Sequence, residues 1–188
     1  MLSEAMVRHV VGQEGAHALV EITEGAWSDY LKEDRIRYHR STQASVVWDY
    51  MALRGDDRLR IDGVRRELRQ ERPLYVLRDA LVLRPKKHGR DSLTRNYPTS
   101  AQKNVLRTGF FEELPYPHIM FGYKLDRAEA GIEQVILTSP ADSWIIDLGR
   151  LADGEVTPTA AMFDMPDYDE PWRQIAPIGR QTGFGHAF

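Results

Sequence analysis

Leu2, Met6 and Val10 recur every four residues, and Ala16, Leu19, Thr23, Trp27 and Tyr30 carry a similar stripe onward. Spacing of three and four places side chains on one face of a helix, so the chain is expected to open helical. The first helix should end near Gly12, and Gly25 is a candidate kink. Asp34–Arg40 is a charged connector, after which Ser41 or Thr42 offers a hydroxyl cap to a second helix. Ala44, Val47, Trp48 and Met51 line that helix, and Gly55 is the expected stop.

The period then changes. Leu59 and Ile61 alternate with arginines before the turn pair Asp62-Gly63. Val64–Arg72 suits either a returning strand or a basic helix with Arg65, Arg69 and Arg72 on one face. Leu74–Leu77 and Leu81–Leu83 read as strands about Arg78-Asp79, either one bent strand or a hairpin. Pro85–Pro98 reads as a long basic loop, and Thr99 or Ser100 as the cap of a short helix over residues 101–107. Further strands are expected at His118–Leu125, Glu133–Thr138 and Trp144–Leu148, with connections short enough for an antiparallel meander. After Leu151 periodicity fails, and Pro158, Pro166, Pro171 and Pro177 point to an extended arm.

Helices first and strands after, without alternation of the two, predict an α+β fold. An N-terminal helical layer should pack on a mainly antiparallel sheet. The expected organisation is one domain over residues 1–152, helical over 1–56 and sheet-rich over 57–152, with an acidic C-terminal arm at 153–188. Trp27, Trp48, Met51, Val76, Val82, Phe121, Val135, Ile136 and Ile145 are the expected core.

Composition narrows the class. Of 188 residues, 42% are hydrophobic and 28% charged, ordinary for a globular chain. The absence of cysteine excludes disulfides, zinc-thiolate sites and cysteine nucleophiles. Nothing in the first residues resembles a secretory signal, and no run is apolar enough for a membrane helix, so a soluble cytoplasmic protein is expected. The net charge of −3 hides a segregation: residues 1–53 balance at −3, 54–107 at +8 and 108–188 at −8. The two large blocks either neutralise each other in space or serve different partners.

Three clusters carry candidate chemistry. The basic stretch Arg84, Lys86, Lys87, His88, Arg90 and Arg95 has the density that phosphate neutralisation needs, and Arg65 and Arg69 extend it. Asn96, Thr99 and Gln102 stand three apart at an expected helix start, where free amides and side chains can hold an anion or merely cap the helix. Asp167, Tyr168, Asp169 and Trp172, in an acidic and aromatic stretch, suit docking to a protein partner. No metal site, cofactor motif or catalytic constellation is recognised: the histidines lack metal spacing, no nucleophile elbow is present, and a nuclease-like acid pair is incomplete.

Arg40–Met51 (RSTQASVVWDYM), Leu83–Lys87 (LRPKK), Asn96–Gln102 (NYPTSAQ), Phe121–Leu125 (FGYKL) and Trp144 follow an order that resembles an uncharacterised bacterial family found in phage and mobile-element neighbourhoods. The resemblance spans about residues 38–148, and Ser41-Thr42-Gln43 departs from the Arg-Thr-Arg run of that pattern. It implies an accessory role and no nameable activity. The expected function is therefore non-catalytic binding of a polyanion, foremost nucleic acid, through the basic middle block. The alternative is a protein-interaction or immunity-like module docking through the acidic arm.

Overall fold

A computed structural model describes residues 2–33, 38–69, 72–92, 94, 116–139 and 144–155, without the side chains of residues 40, 41, 69 and 72. These residues belong to one compact unit, Met1–Glu155.

Helix α1 runs Glu4–Lys32 and begins where the Ser3 hydroxyl accepts the Met6 amide. It breaks at Gly12, whose φ of 62° and ψ of 179° leave the helical region at a position few other residues tolerate. The expected first stop is therefore real, although the chain resumes its helix at once. Gly25 does not bend α1. A Cβ there would lie 2.6 Å from the Arg54 guanidinium carbon, so the missing side chain seats Arg54 while it pairs with Asp29 at 2.7 Å.

Helix α2 spans Arg40–Arg58. Its cap position is His39, with no side-chain capping bond, so neither Ser41 nor Thr42 caps it. Its inward ridge repeats every four residues, through Gln43, Val47, Met51, Gly55 and Leu59 just beyond the helix end, all buried. Trp48 lies about 100° around the axis from Val47 and is only half-buried, a correction to the expected core. Gly55 does not end the helix either. A Cβ on it would lie 2.7 Å from Cζ of Tyr75, whose hydroxyl donates to the Ala52 carbonyl at 2.9 Å. Gly55→Ala is expected to cost about 1–3 kcal/mol by overpacking this contact, read from chemical denaturation.

Six strands form one sheet in the order β1-β2-β3-β4-β5-β6: Val64–Arg69, Arg72–Leu77, Leu81–His88, His118–Leu125, Ile132–Thr138 and Ile145–Asp147. Helix α3, Leu148–Ala152, follows directly, capped by the Asp147 carboxylate accepting the Arg150 amide at 3.2 Å. The ambiguous stretch is strand: Arg69 pairs with Arg72 across a β1–β2 hairpin, and a shared helical face for Arg65, Arg69 and Arg72 is ruled out. The second pair is also a hairpin, because Arg78 and Asp79 take φ of 50° and 47° and reverse the chain.

The α+β class stands, with all pairs antiparallel except β3 with β4, which run parallel. Residues 85–88 are therefore strand, not loop. Pro85 is tolerated because the β2–β3 ladder stops at Tyr75↔Leu83. Two residues further, that register sets Pro73 against Pro85, and neither has an N–H to donate. The basic stretch is thus drawn into the sheet.

The main core lies between the helices and one sheet face. Val7, Leu19, Ile22, Trp27, Val47 and Met51 meet Tyr75, Leu83, Phe121, Tyr123, Leu137 and Ile146. Trp27 packs 5.6 Å from the Tyr123 ring. Val76, Val82 and Ile136 are buried as expected, but on the opposite face. Ile145 is 47% exposed: alternation in the short edge strand turns Ile146 inward and Ile145 away.

Candidate functional site

Strand alternation divides the basic stretch. Leu81 and Leu83 of β3 face the helices, so Val82, Arg84, Lys86 and His88 occupy the other face, and Lys87 turns back with Leu83. On β4 the same parity sends Phe121 and Tyr123 to the helices and His118, Met120, Gly122 and Lys124 to that second face. Gln134, Ile136 and Thr138 of β5 and Asp147 of β6 complete it.

Register turns these residues into rows. Arg84 stands beside Met120 and Thr138, Lys86 beside Gly122, Ile136 and Asp147, and His88 beside Lys124 and Gln134. Gly122 leaves no side chain next to Lys86. In the last row Lys124 donates to the side-chain amide oxygen of Gln134 at 3.5 Å and pairs with Glu133 at 3.3 Å. Gln134 in turn donates to Asp147 at 3.3 Å, so one polar chain crosses β4, β5 and β6.

The histidines define how dry this face is. His88 and His118 are 2% and 1% exposed, and burial pushes their pKa values down to about 4 and about 3. The Asp91 carboxylate opposes the shift at His88, whereas the Arg84 cation reinforces it at His118. Both rings are therefore neutral near pH 7, and neither ring nitrogen of His88 meets a hydrogen-bond partner among the described residues. Arg84, Lys86 and Lys124 sit at intermediate exposure above this layer. These three cations share the face from β3 to β6 with the carboxylate of Asp147, and Glu133 meets Lys124.

The other candidates divide. Arg65 lies on the same face, in the row of Val76 and Val82 on β1 at the sheet edge, paired with Glu67 and, at 3.2 Å, with Asp79. Arg69 closes β1, with its side chain outside the description. Arg90 follows β3, exposed, and donates to the Arg127 carbonyl at 3.3 Å. Arg95, Asn96, Thr99, Gln102, Asp167, Tyr168, Asp169 and Trp172 lie outside the described residues, as do the helix expected at 101–107 and the arm beyond residue 155. The first half of the basic block neutralises locally: Arg54 pairs with Asp29, Arg58 with Glu21 and Arg66 with Asp56. Among the described residues its acids come from α1, α2 and the block itself, not from the acidic last third.

Sequence reading missed Lys124, Gln134 and Asp147, and alternation within β4 and β5 was the available signal. No cluster of three or more metal-ligating side chains occurs among the described residues. Compared with protein-family models, curated proteins and solved structures, the chain matches none.

Proposed function

We propose that the chain is a non-catalytic accessory protein that binds a polyanion, foremost nucleic acid, through the second face of its sheet. The observation that carries this reading is the placement of Arg84, Lys86 and Lys124 on one face of adjacent strands. A sheet presents cations at fixed spacing, and each phosphate they neutralise releases counterions. Helices cover the opposite face, so Lys87 belongs to a different surface. Arg65 and Arg66 are engaged by Glu67, Asp79 and Asp56, and Lys124 by Glu133, so a phosphate has to compete with a carboxylate at each of these three. No helix among the described residues is long and apolar enough to cross a membrane. A nucleic-acid ligand would fit a cytoplasmic protein, and the resemblance to a mobile-element family favours an accessory role.

The test is fluorescence anisotropy with labelled duplex DNA and RNA over a salt series. Arg84→Ala with Lys86→Ala is expected to weaken binding similarly across sequences and to flatten the plot of log affinity against log salt by roughly two contacts. Lys87→Ala should leave both unchanged. Equal affinity of the double variant and the wild type at low salt overturns the assignment to this face. Absence of binding by the wild type overturns the function.

A further inference from the structure

We infer that strand β1 is a self-complementary edge through which two copies of this chain pair antiparallel, joining their sheets into one. β1 ends the strand order, and no described strand lies beyond it. Arg65, Arg66 and Leu68 are exposed, Leu68 with 57% of its surface, and among the described residues nothing pairs with the outer edge of β1. An open strand edge carries unpaired amides and carbonyls and is a template for another strand.

Backbone direction and charge select the partner. Pro73, opposite Leu68, has no N–H, and the Val64 amide donates to the Ile61 carbonyl at 3.0 Å and not to β2. The even-numbered residues of β1 therefore turn their backbone groups toward the free edge. An antiparallel pair of identical strands has its two-fold axis perpendicular to the sheet, which keeps each copy's helical layer on the same side. Opposed residues must then share a face, so a residue meets only residues of its own parity.

Centring the axis on Arg66 sets Arg65 against Glu67 of the second copy twice and Val64 against Leu68 twice. Arg66 exchanges backbone hydrogen bonds with its counterpart, and each Leu68 amide reaches the opposite Val64 carbonyl. The two Arg66 side chains are already drawn back to the Asp56 carboxylates, 2.6 Å away. Moving the axis one residue either way sets Arg65 against Arg65 or Glu67 against Glu67, which cross-strand repulsion opposes. Charges that would otherwise guard the edge thus admit one register. One short strand pair buries less than the ~1,600 Å² of a standard stable interface, so the dimer forms at high concentration.

Sedimentation velocity of the full chain over a concentration series reaching the millimolar range tests this. The weight-average mass should rise from 21.6 kDa toward twice that value. Arg65→Glu should hold it at the single-chain mass, and Arg65→Glu with Glu67→Arg should restore the rise. Circular dichroism establishes that each variant is folded, and Leu68→Lys, at an exposed position, provides a second block. Hydrogen exchange at the Arg66 and Leu68 amides should slow with concentration while exchange at Arg65 and Glu67 does not. A wild type that stays monomeric, association untouched by Arg65→Glu and Leu68→Lys, or a charge swap that fails to restore it overturns the inference.

Discussion

Gly122→Ala is expected to remove about 3–5 kcal/mol of stability, the sum of backbone strain and overpacking inside a sheet. Gly122 lies on β4 between Lys86 of β3 and Ile136 of β5, with strands on both sides. Its φ is 157°, and a Cβ would sit well inside contact distance of the Lys86 carbonyl oxygen and 2.9 Å from its carbonyl carbon. All the atoms it meets belong to backbone, so no rotamer change relieves the clash. The strands must separate, and the β3–β4 pairing that aligns Arg84, Lys86 and Lys124 goes with them. Urea denaturation measures the loss against a total of about 5–15 kcal/mol for an ordinary domain. Gly131→Ala is the control, because the nearest atom to its Cβ is 3.4 Å away. Its expected effect is within about 0.5 kcal/mol. A Gly122→Ala loss below about 1 kcal/mol would mean the strands part easily.

Local pattern carried the strands at residues 118–125 and 132–138 and the helical stripes, because each signal is contained within one element. What it could not carry was which strand neighbours which. LRPKKH reads as a polar loop when Pro85 is taken as a strand breaker. It becomes strand because the proline stands where the β2 ladder has already ended, a fact of pairing and not of composition. Gly25 and Gly55 misled in the same way. Glycine inside a helix signals a kink or a stop when nothing else is known, yet here each makes room for a side chain distant in sequence, Arg54 and Tyr75.

The site was half legible for the same reason. The density of cations in residues 84–90 is plain in the sequence, but alternation splits Lys87 from Arg84 and Lys86. Lys124, from the block counted as acidic, joins them because the β3–β4 pair is parallel and in register. Block charges along the chain therefore described the surface poorly. Arginines of the first half of the basic block were neutralised by α1, α2 and their own neighbours, and the cations of the second face came from both blocks.

Stability should fall steeply on acidification, driven by the two histidines beneath that face. Unfolded, His88 and His118 take up protons near pH 6.5, whereas folded they resist down to about pH 4 and about pH 3. Between those limits the unfolded chain binds more protons, so stability drops as pH drops, and above pH 6.5 the contribution is constant. At about 1.4 kcal/mol per pH unit for each ring, the combined loss reaches about 6 kcal/mol by pH 4, much of an ordinary domain's stability. A domain at the low end of the ordinary range of about 5–15 kcal/mol would unfold at about pH 4, and a more stable one would keep its fold while its urea midpoint falls. Urea midpoints from pH 7 to pH 4 measure the slope, and His88→Gln should reduce it by the share of one proton while keeping a polar side chain of similar reach. If the wild-type midpoint is flat from pH 7 to pH 5, the rings gain protons without unfolding the chain. The second face is then wetter than its burial indicates, with His88 and His118 able to join Arg84 and Lys86 as cations in mild acid.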